Sequence, residues 1–262
     1  MTIESPAEPR RIAGDYKYDF MVFIGRFRFF HEGHRAVIRR GLELGRHVIV
    51  LVGSCRQPRT PRNPLTFEEV SGNILDAFPQ DQRRRIILRG LMDRYNDVEW
   101  CADVQAAVSD VVAQFHTPAD GPAPKICLIG HSKDHTSYYL HRFPQWSAEA
   151  VESFQGLSAT PIREDYFRDA EAALAKWAGS LPLNVVEFLR AFAHTPEYRN
   201  LAEEAAYLRA FKERWLGGRK PFREAYFEDA EKAIAEEGDN LRPQAIDFLR
   251  SFAHTEAYRR LA

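Results

Sequence analysis

Phe20 to Ile24 form an unbroken apolar run that ends at a glycine. The next stretch reads Gly25-Arg26-Phe27-Arg28-Phe29-Phe30-His31-Glu32-Gly33-His34, and Arg35 to Leu44 then has the pattern of a helix. A buried strand that passes through a glycine turn into a helix leaves few architectures open to the chain. A helix N-terminus presents unpaired backbone N–H groups and the positive end of the helix dipole, which suits a phosphate. Gly25 and Gly33 let a ligand come close to the backbone. His31 and His34 are three apart and can face one pocket, where two imidazoles can hydrogen-bond phosphate oxygens and carry developing charge. A lone His-x-x-His reads as two surface histidines. The strand, the helix and the two glycines turn that reading toward an anion site.

The chain keeps this grammar. His47 to Val52 is a second apolar, β-branched strand, and unbroken strands of this kind suggest a parallel sheet covered on both faces. It ends at Gly53-Ser54-Cys55, and the following loop carries Arg56, Arg59 and Arg62. Ser54 and Arg62 therefore stand at a strand's C-terminal end, where open α/β sheets bind ligands. Thr66 with Glu69 forms a capping box for a helix to about Phe78. Arg85 to Leu88 is a third strand. Trp100 opens a helix to about Phe115, with Val104, Val108 and Val111 or Val112 on one stripe. A tryptophan in this place is either core or a flat platform for a heteroaromatic base.

Lys125 to Ile129 is a fourth strand, and its exit reads Gly130-His131-Ser132-Lys133-Asp134. Lys133 can meet a triphosphate as a point charge. His131 and His135 are four apart but have no third ligand beside them, so no protein metal site is expected. Ala150 to Gln155 is a fifth, edge strand. Thr160 as N-cap and Pro161 as first helical residue start a further helix. Arg163 then lies in the first turn, where a cation opposes the helix dipole unless an anion is bound.

The formal net charge of −1 provides no global basic field for nucleic acid or an anionic membrane. Local arginines must hold any phosphate. The three cysteines, Cys55, Cys101 and Cys127, have no paired spacing, which argues against a disulfide framework and suits a reducing cytoplasm. No apolar run approaches the roughly 18 residues of a membrane helix. Met1 to Asp15 reads as a flexible arm rather than a signal peptide.

Residues 161–202 and 221–262 align without a gap at an offset of 60, with 22 identities in 42 pairs. Both copies have apolar residues at helical spacing and read as helical hairpins. Ser158-Ala159-Thr160 precedes the first copy and Gly218-Arg219-Lys220 the second. The second copy has lost the capping hydroxyls and reads as a duplicated packing module, with Arg223 away from any nucleotide and His194 and His254 structural.

Gly25 to His34 resembles the His-x-Gly-His signature of the nucleotidyltransferase superfamily. Within it the chain is similar to the nicotinamide mononucleotide (NMN) adenylyltransferases, especially those that precede a Nudix domain in bifunctional proteins. This likeness rests on Gly53-Ser54, Arg59 to Pro64, Thr66 to Glu69, Tyr95-Asn96-Asp97 with Trp100, Gly130 to Asp134 with Ser137-Tyr138-Tyr139, Phe143-Pro144 with Trp146, and Ser158 to Arg163. These follow the family order over residues 18 to 216. The chain departs from the pattern at Arg28-Phe29, where near relatives carry Gln-Pro, and at Val70, where an arginine is usual and whose loss is expected to weaken the acceptor. No Nudix pattern follows, so no ADP-ribose hydrolase activity is expected.

The resemblance implies transfer of AMP from ATP to NMN, giving NAD and pyrophosphate, with Mg2+ bridging the polyphosphate. It implies catalytic roles for His31, His34, Lys133 and Arg163. It places these four around ATP with Gly25, Arg26, Phe27, Gly130, Asp134, Ser158, Thr160 and Ile162. It places Ser54, Arg62, Asn63, Trp100 and Tyr138 around NMN. The expected partners are ATP, NMN and NAD, without nucleic acid or membrane, and a homo-oligomer is left open. Two alternatives stand beside this: a nucleotidyltransferase with another phosphate acceptor, and a non-catalytic nucleotide-binding sensor or scaffold derived from such an enzyme. The expected fold is α/β, a doubly wound Rossmann-like parallel sheet followed by an all-helical C-terminal appendage. Its parts are an arm over 1–16, the α/β domain over 17–160, helices completing the ATP site over 161–216 and the duplicated module over 217–262.

Overall fold

The computed structural model describes residues 14–116, 122–131, 142–151, 156–216, 222–237 and 243–261. Five strands, β1 (Tyr18–Gly25), β2 (Gly45–Val52), β3 (Ile86–Gly90), β4 (Ile126–His131) and β5 (Ser147–Val151), form one parallel sheet in the order β3-β2-β1-β4-β5. The chain winds outward from β1 to β3, then crosses back to β4 and β5. The carboxyl ends of β1 and β4 therefore flank the switch point, where open sheets of this kind take their ligands. Both faces of the central strands are covered, as continuous apolar strands require. Met21, Val22, Val48, Ile49, Val50 and Leu51 are all fully buried.

Helix α1 (Glu32–Leu44) follows β1 and buries Val37, Ile38, Gly41 and Leu42 on one stripe. A Cβ on Gly41 would come within 3.1 Å of Val48, so the glycine lets helix and strand pack closely. Helices α2 (Phe67–Asp76) and α3 (Gln80–Arg83) fill the connection from β2 to β3. Helix α4 (Asp97–Phe115) lays Val104, Val108 and Val111 against Phe20, Val22, Ile49, Leu51 and Leu128 of the sheet. The capping box at α2 is reciprocal: Thr66 Oγ1 accepts from the Glu69 amide, and Glu69 accepts from the Thr66 amide.

Several boundaries differ from the sequence reading. Strand β5 begins at Ser147, three residues before the expected start, and residues 152–155 lie outside the description. Helix α4 begins at Asp97 with Asn96 as N-cap, so Trp100 sits inside the first turn rather than opening the helix. Helix α5 (Ala159–Tyr166) is capped by Ser158, not Thr160, and Pro161 is its third residue. Proline is tolerated there because the first-turn amides have no helical partner. Arg163 consequently lies past the first turn, and the expected conflict with the dipole does not arise.

The chain divides into two compact units, Met1–Ala202 and Glu203–Ala262. In the first unit, α5, α6 (Ala170–Trp177), α7 (Leu183–Phe192) and the start of α8 (Pro196–Leu216) pack on the α/β domain. Tyr166 meets Phe29 edge-on at 5.4 Å, Asn184 Nδ2 donates to the Asn73 carbonyl at 3.0 Å, and Arg59 lies over Phe192. The second unit holds α9 (Phe222–Glu228), α10 (Ala230–Glu237), α11 (Pro243–Ala253) and α12 (Glu256–Leu261). Each copy of the repeat is therefore four helices, not a single hairpin. The internal bonds recur at the offset of 60. Tyr166 donates to the Leu189 carbonyl and Tyr226 to that of Leu249, while Tyr198 donates to the Tyr166 carbonyl and Tyr258 to that of Tyr226. Among the described residues no helix is long and apolar enough to cross a membrane.

Candidate active site

The turn after β1 is built from its own aromatic residues. A Cβ on Gly25 would lie 2.8 Å from the Phe27 ring, so the space this glycine leaves goes to Phe27 rather than to a ligand. Phe27 adopts φ 54, a left-handed conformation that costs a non-glycine residue about 1–2 kcal/mol. Its ring meets His34 edge-on at 5.0 Å, and Phe30 stacks on the same imidazole at 5.8 Å. His31 is the N-cap of α1. Its Nδ1 accepts from the His34 amide, and His34 Nδ1 accepts from the His31 amide. The two rings stack at 3.7 Å. With both Nδ1 atoms accepting, the ring proton of each neutral imidazole belongs on Nε2.

Arg28 and Phe29 point elsewhere. Arg28 is 5% exposed, and its guanidinium donates to the carbonyls of Gly53, Ser54 and Leu65 and to Asn63 Oδ1. Phe29 is fully buried against Tyr166 and so ties the turn to α5.

The three arginines of the β2–α2 loop are not alike. Arg59 is locked to Glu69 by two bonds of 2.7 and 2.8 Å. Arg56 is exposed at φ 65. Arg62 lines a cavity of about 640 Å3 at the carboxyl ends of β1, β2 and β3. Arg26, Ser54, Asn63, Asp93, Tyr95 and Trp100 line it too. Loss of solvent and the nearby Arg62 hold the Arg26 pKa below its ordinary value, while Asp93 opposes them. Half-buried Arg163 of α5 feels the same field. Burial lowers its pKa, Glu164 raises it, and Arg26 and Arg62 lower it further. Three segments distant in sequence thus bring cations to one place, and their mutual repulsion is what a bound polyanion relieves.

Trp100 is half-buried. It packs against the core beside Phe143 at 6.1 Å and also lines the cavity. Ser54 is held at φ 55 and donates to Asp93 Oδ1 at 3.0 Å across the cavity. A second cavity of about 600 Å3 shares Ser54, Gln57, Leu91 and Arg94 with the first and reaches Arg28 and Arg59. Val70 is fully buried and lines neither cavity, so its side chain is a packing element of α2 rather than an acceptor contact.

Residues 22–70 match the cytidylyltransferase-like family. The nicotinamide/nicotinic acid mononucleotide adenylyltransferase of Acinetobacter baylyi is 35% identical over 191 residues, covering 72% of this chain and 94% of that protein. This chain belongs to that adenylyltransferase family. The nicotinamide-nucleotide adenylyltransferase of Pyrococcus abyssi is 25% identical over 182 residues, covering 69% of this chain and 88% of that one. Among solved structures, a bifunctional NMN adenylyltransferase/ADP ribose pyrophosphatase from Francisella tularensis, complexed with AMP and a Mn ion, superposes with a TM-score of 0.64 at 25% identity. The alignment covers 78% of this chain and 57% of that one, so the chain spans somewhat more than half of the bifunctional protein's length.

Of the residues that membership of the adenylyltransferases singles out, the structure brings Gly25, Arg26, Ser54, Arg62, Asn63 and Trp100 to one cavity wall. Phe27, His31 and His34 stand beside it on the turn, and Gly130 lies in β4 next to β1 across the switch point. Ser158, Thr160, Ile162 and Arg163 share α5 and its cap, with Ile162 turned into the core. Lys133, Asp134 and Tyr138 lie outside the described residues. Asp93 and the bracing by Arg28 escaped the sequence reading. For Arg28 a signal existed, since an arginine among four phenylalanines within Phe23 to Phe30 stands where a buried residue is due.

Proposed function

We propose that the chain transfers AMP from ATP to the phosphate of nicotinamide mononucleotide, giving NAD and pyrophosphate. The observation that carries this reading is the meeting of Arg26 and Arg62 on a cavity with Trp100 in its wall, beside a histidine pair at a helix N-terminus and with Arg163 of α5 near enough to feel their charge. The family alone leaves the roles of these residues open, and the geometry supports the following assignment.

The acceptor phosphate has a second pKa near 6, so it is already ionised at neutral pH and needs no strong base. One of its oxygens attacks the α-phosphorus of ATP. The new O–P bond forms as the bond to the bridging oxygen breaks, and pyrophosphate leaves with that electron pair. The protein's task is to hold two anions in line and to stabilise charge on the leaving group. His31 and His34 donate through Nε2 to the ATP phosphates. Arg163 and Lys133 take the triphosphate, and Arg26 and Arg62 lie beside the reacting groups. Ser158 and Thr160 border ATP with Gly25, Phe27, Gly130 and Asp134, while the Ile162 side chain packs in the core behind them. Ser54, Asn63, Trp100 and Tyr138 hold the nicotinamide end, with Trp100 offering a flat ring to the base.

Among the described residues no three histidine, cysteine, aspartate or glutamate side chains are placed to hold a metal ion. A divalent cation, magnesium in this reading, would arrive with the nucleotide and would offset polyphosphate charge. Functionally, 17–160 supplies the acceptor cavity, 161–216 completes the ATP site and 217–262 is the duplicated module. Initial rates with ATP and NMN, followed through pyrophosphate release, test the reading. Saturable release that requires both substrates supports it. Release with another acceptor phosphate but not with NMN overturns it.

A further inference from the structure

We propose that Arg28 is a positioning residue for the acceptor, acting through Ser54 and Asn63 rather than by contact with substrate. This rests on the reading above that the cavity of Arg62 and Trp100 takes the mononucleotide. The guanidinium of Arg28 joins two separate stretches of chain that border the cavity. It donates to the carbonyls of Gly53 and Ser54 at 2.9 and 2.8 Å, to the Leu65 carbonyl at 2.9 Å, and to Asn63 Oδ1. Gly53 and Ser54 are the exit of β2, and Asn63 and Leu65 end the loop that also carries Arg62. Asn63 Nδ2 donates in turn to the Ser54 carbonyl at 3.2 Å, which closes a triangle of Arg28, Ser54 and Asn63. Ser54 is tied in turn to Asp93, which follows β3 and also lines the cavity.

The loop needs such a brace. Ser54 and Arg56 both sit at positive φ, 55 and 65 degrees, and non-glycine residues keep such angles only where their surroundings over-determine them. Every acceptor of Arg28 is a neutral oxygen, so the forked geometry, and not an ion pair, does the work. Arginine alone offers five N–H donors in a fixed plane. Lysine keeps the charge, but one nitrogen cannot span four oxygens. Glutamine keeps two donors and loses the charge. Either change leaves buried carbonyls of the wall without donors. The donors for ATP in this reading are not bonded to Arg28: the histidines are held by their reciprocal cap at α1, and Arg163 stands on α5.

The test is steady-state kinetics of the full chain and of Arg28→Lys and Arg28→Gln, varying each substrate. The expected result is a KM for NMN raised by about 10-fold or more, with the KM for ATP within about twofold of wild type, the scale of one or two lost charge-assisted bonds. Arg28→Ala adds an independent readout. Millimolar guanidinium ion is expected to lower its KM for NMN at least about threefold by refilling the vacated space, with no such effect on wild type. If Arg28→Ala fails to fold, the lysine and glutamine variants decide. A merely structural role predicts a lowered Tm and fewer active molecules, with both KM values unchanged, and that outcome overturns the proposal. Equal rises in both KM values also overturn it. A wild type that makes no dinucleotide removes the underlying reading and the proposal together. Normal wild-type turnover with an unshifted acceptor KM in the variants removes the role of Arg28 alone.

Discussion

His34 is gripped from several directions: by Phe27 at its edge, Phe30 on one face, His31 stacked at 3.7 Å, and the cap bond to its Nδ1. A donor so fixed is arranged before the reaction and needs no reorganisation, which is where transition-state stabilisation is largest. His34→Ala is expected to lower kcat by more than about 100-fold, measured at saturating ATP and NMN. An unchanged kcat would remove the phosphate role. His47 is the opposite kind of histidine. It lies buried between Phe20 and Phe115, and its Nδ1 has no hydrogen-bond partner. Burial, helped by Arg46 and Arg85, pushes its pKa down to about 4. The unfolded chain binds this proton near 6.5 and the folded chain only near 4. The unfolded state therefore holds more protons in between, and stability that is complete above about pH 6.5 is lost as pH falls toward 4. The loss is about 3 kcal/mol over that window. Urea titrations at both ends should show it as a wild-type decrement that His47→Phe reduces, and equal decrements in the two proteins would contradict it. The pair His31 and His34 was legible in the sequence because it depends on spacing beside a glycine turn. The work of Arg28 and Asp93 was not, because it depends on partners distant in the chain.

At the level of elements, strands were legible because an apolar run buried on both faces has no other use in an open sheet. Helices α2 and α4 were legible from a capping box and a valine stripe. The ends were harder. Ser158 and Thr160 both carry a hydroxyl, and only the backbone decides which one caps α5. The first turn of α4 carries the consequence. Trp100 stands there with one side on the core and the other on the cavity. Trp100→Ala is expected to raise the KM for NMN roughly 5- to 150-fold, the range of about 1–3 kcal/mol for one base stack, and to leave the KM for ATP nearly unchanged. Equal effects on both substrates would mean that the ring serves packing alone.

On the scale of the whole molecule, the described residues form one sheet and two copies of a four-helix module. The first copy meets the α/β domain through Tyr166, Asn184 and Phe192, and so places Arg163 in the field of Arg26 and Arg62. The second repeats the internal bonds of Tyr166 and Tyr198 at Tyr226 and Tyr258. It does not repeat the Ser158-Ala159-Thr160 lead-in. The duplication was plain in the sequence, while the number of helices per copy was not, because short helices joined by tight turns share one apolar period. Arg163→Ala is expected to weaken ATP use by about 10-fold or more, the scale of one charge-assisted phosphate contact. Arg223→Ala should leave kinetics within about a factor of two. A halving of the ATP bound per chain in Arg223→Ala, read by calorimetry, would instead make the second copy a nucleotide site.

In the proposed reaction the cation-lined cavity at the carboxyl ends of β1, β2 and β3 directs an attack on the α-phosphorus of ATP. Incubation with NMN and ATP radiolabelled at the α-phosphate measures this most directly. The label is expected in NAD, one per dinucleotide formed, with unlabelled pyrophosphate as the other product. Label recovered only in unreacted ATP or in free AMP, with no labelled NAD, would contradict it.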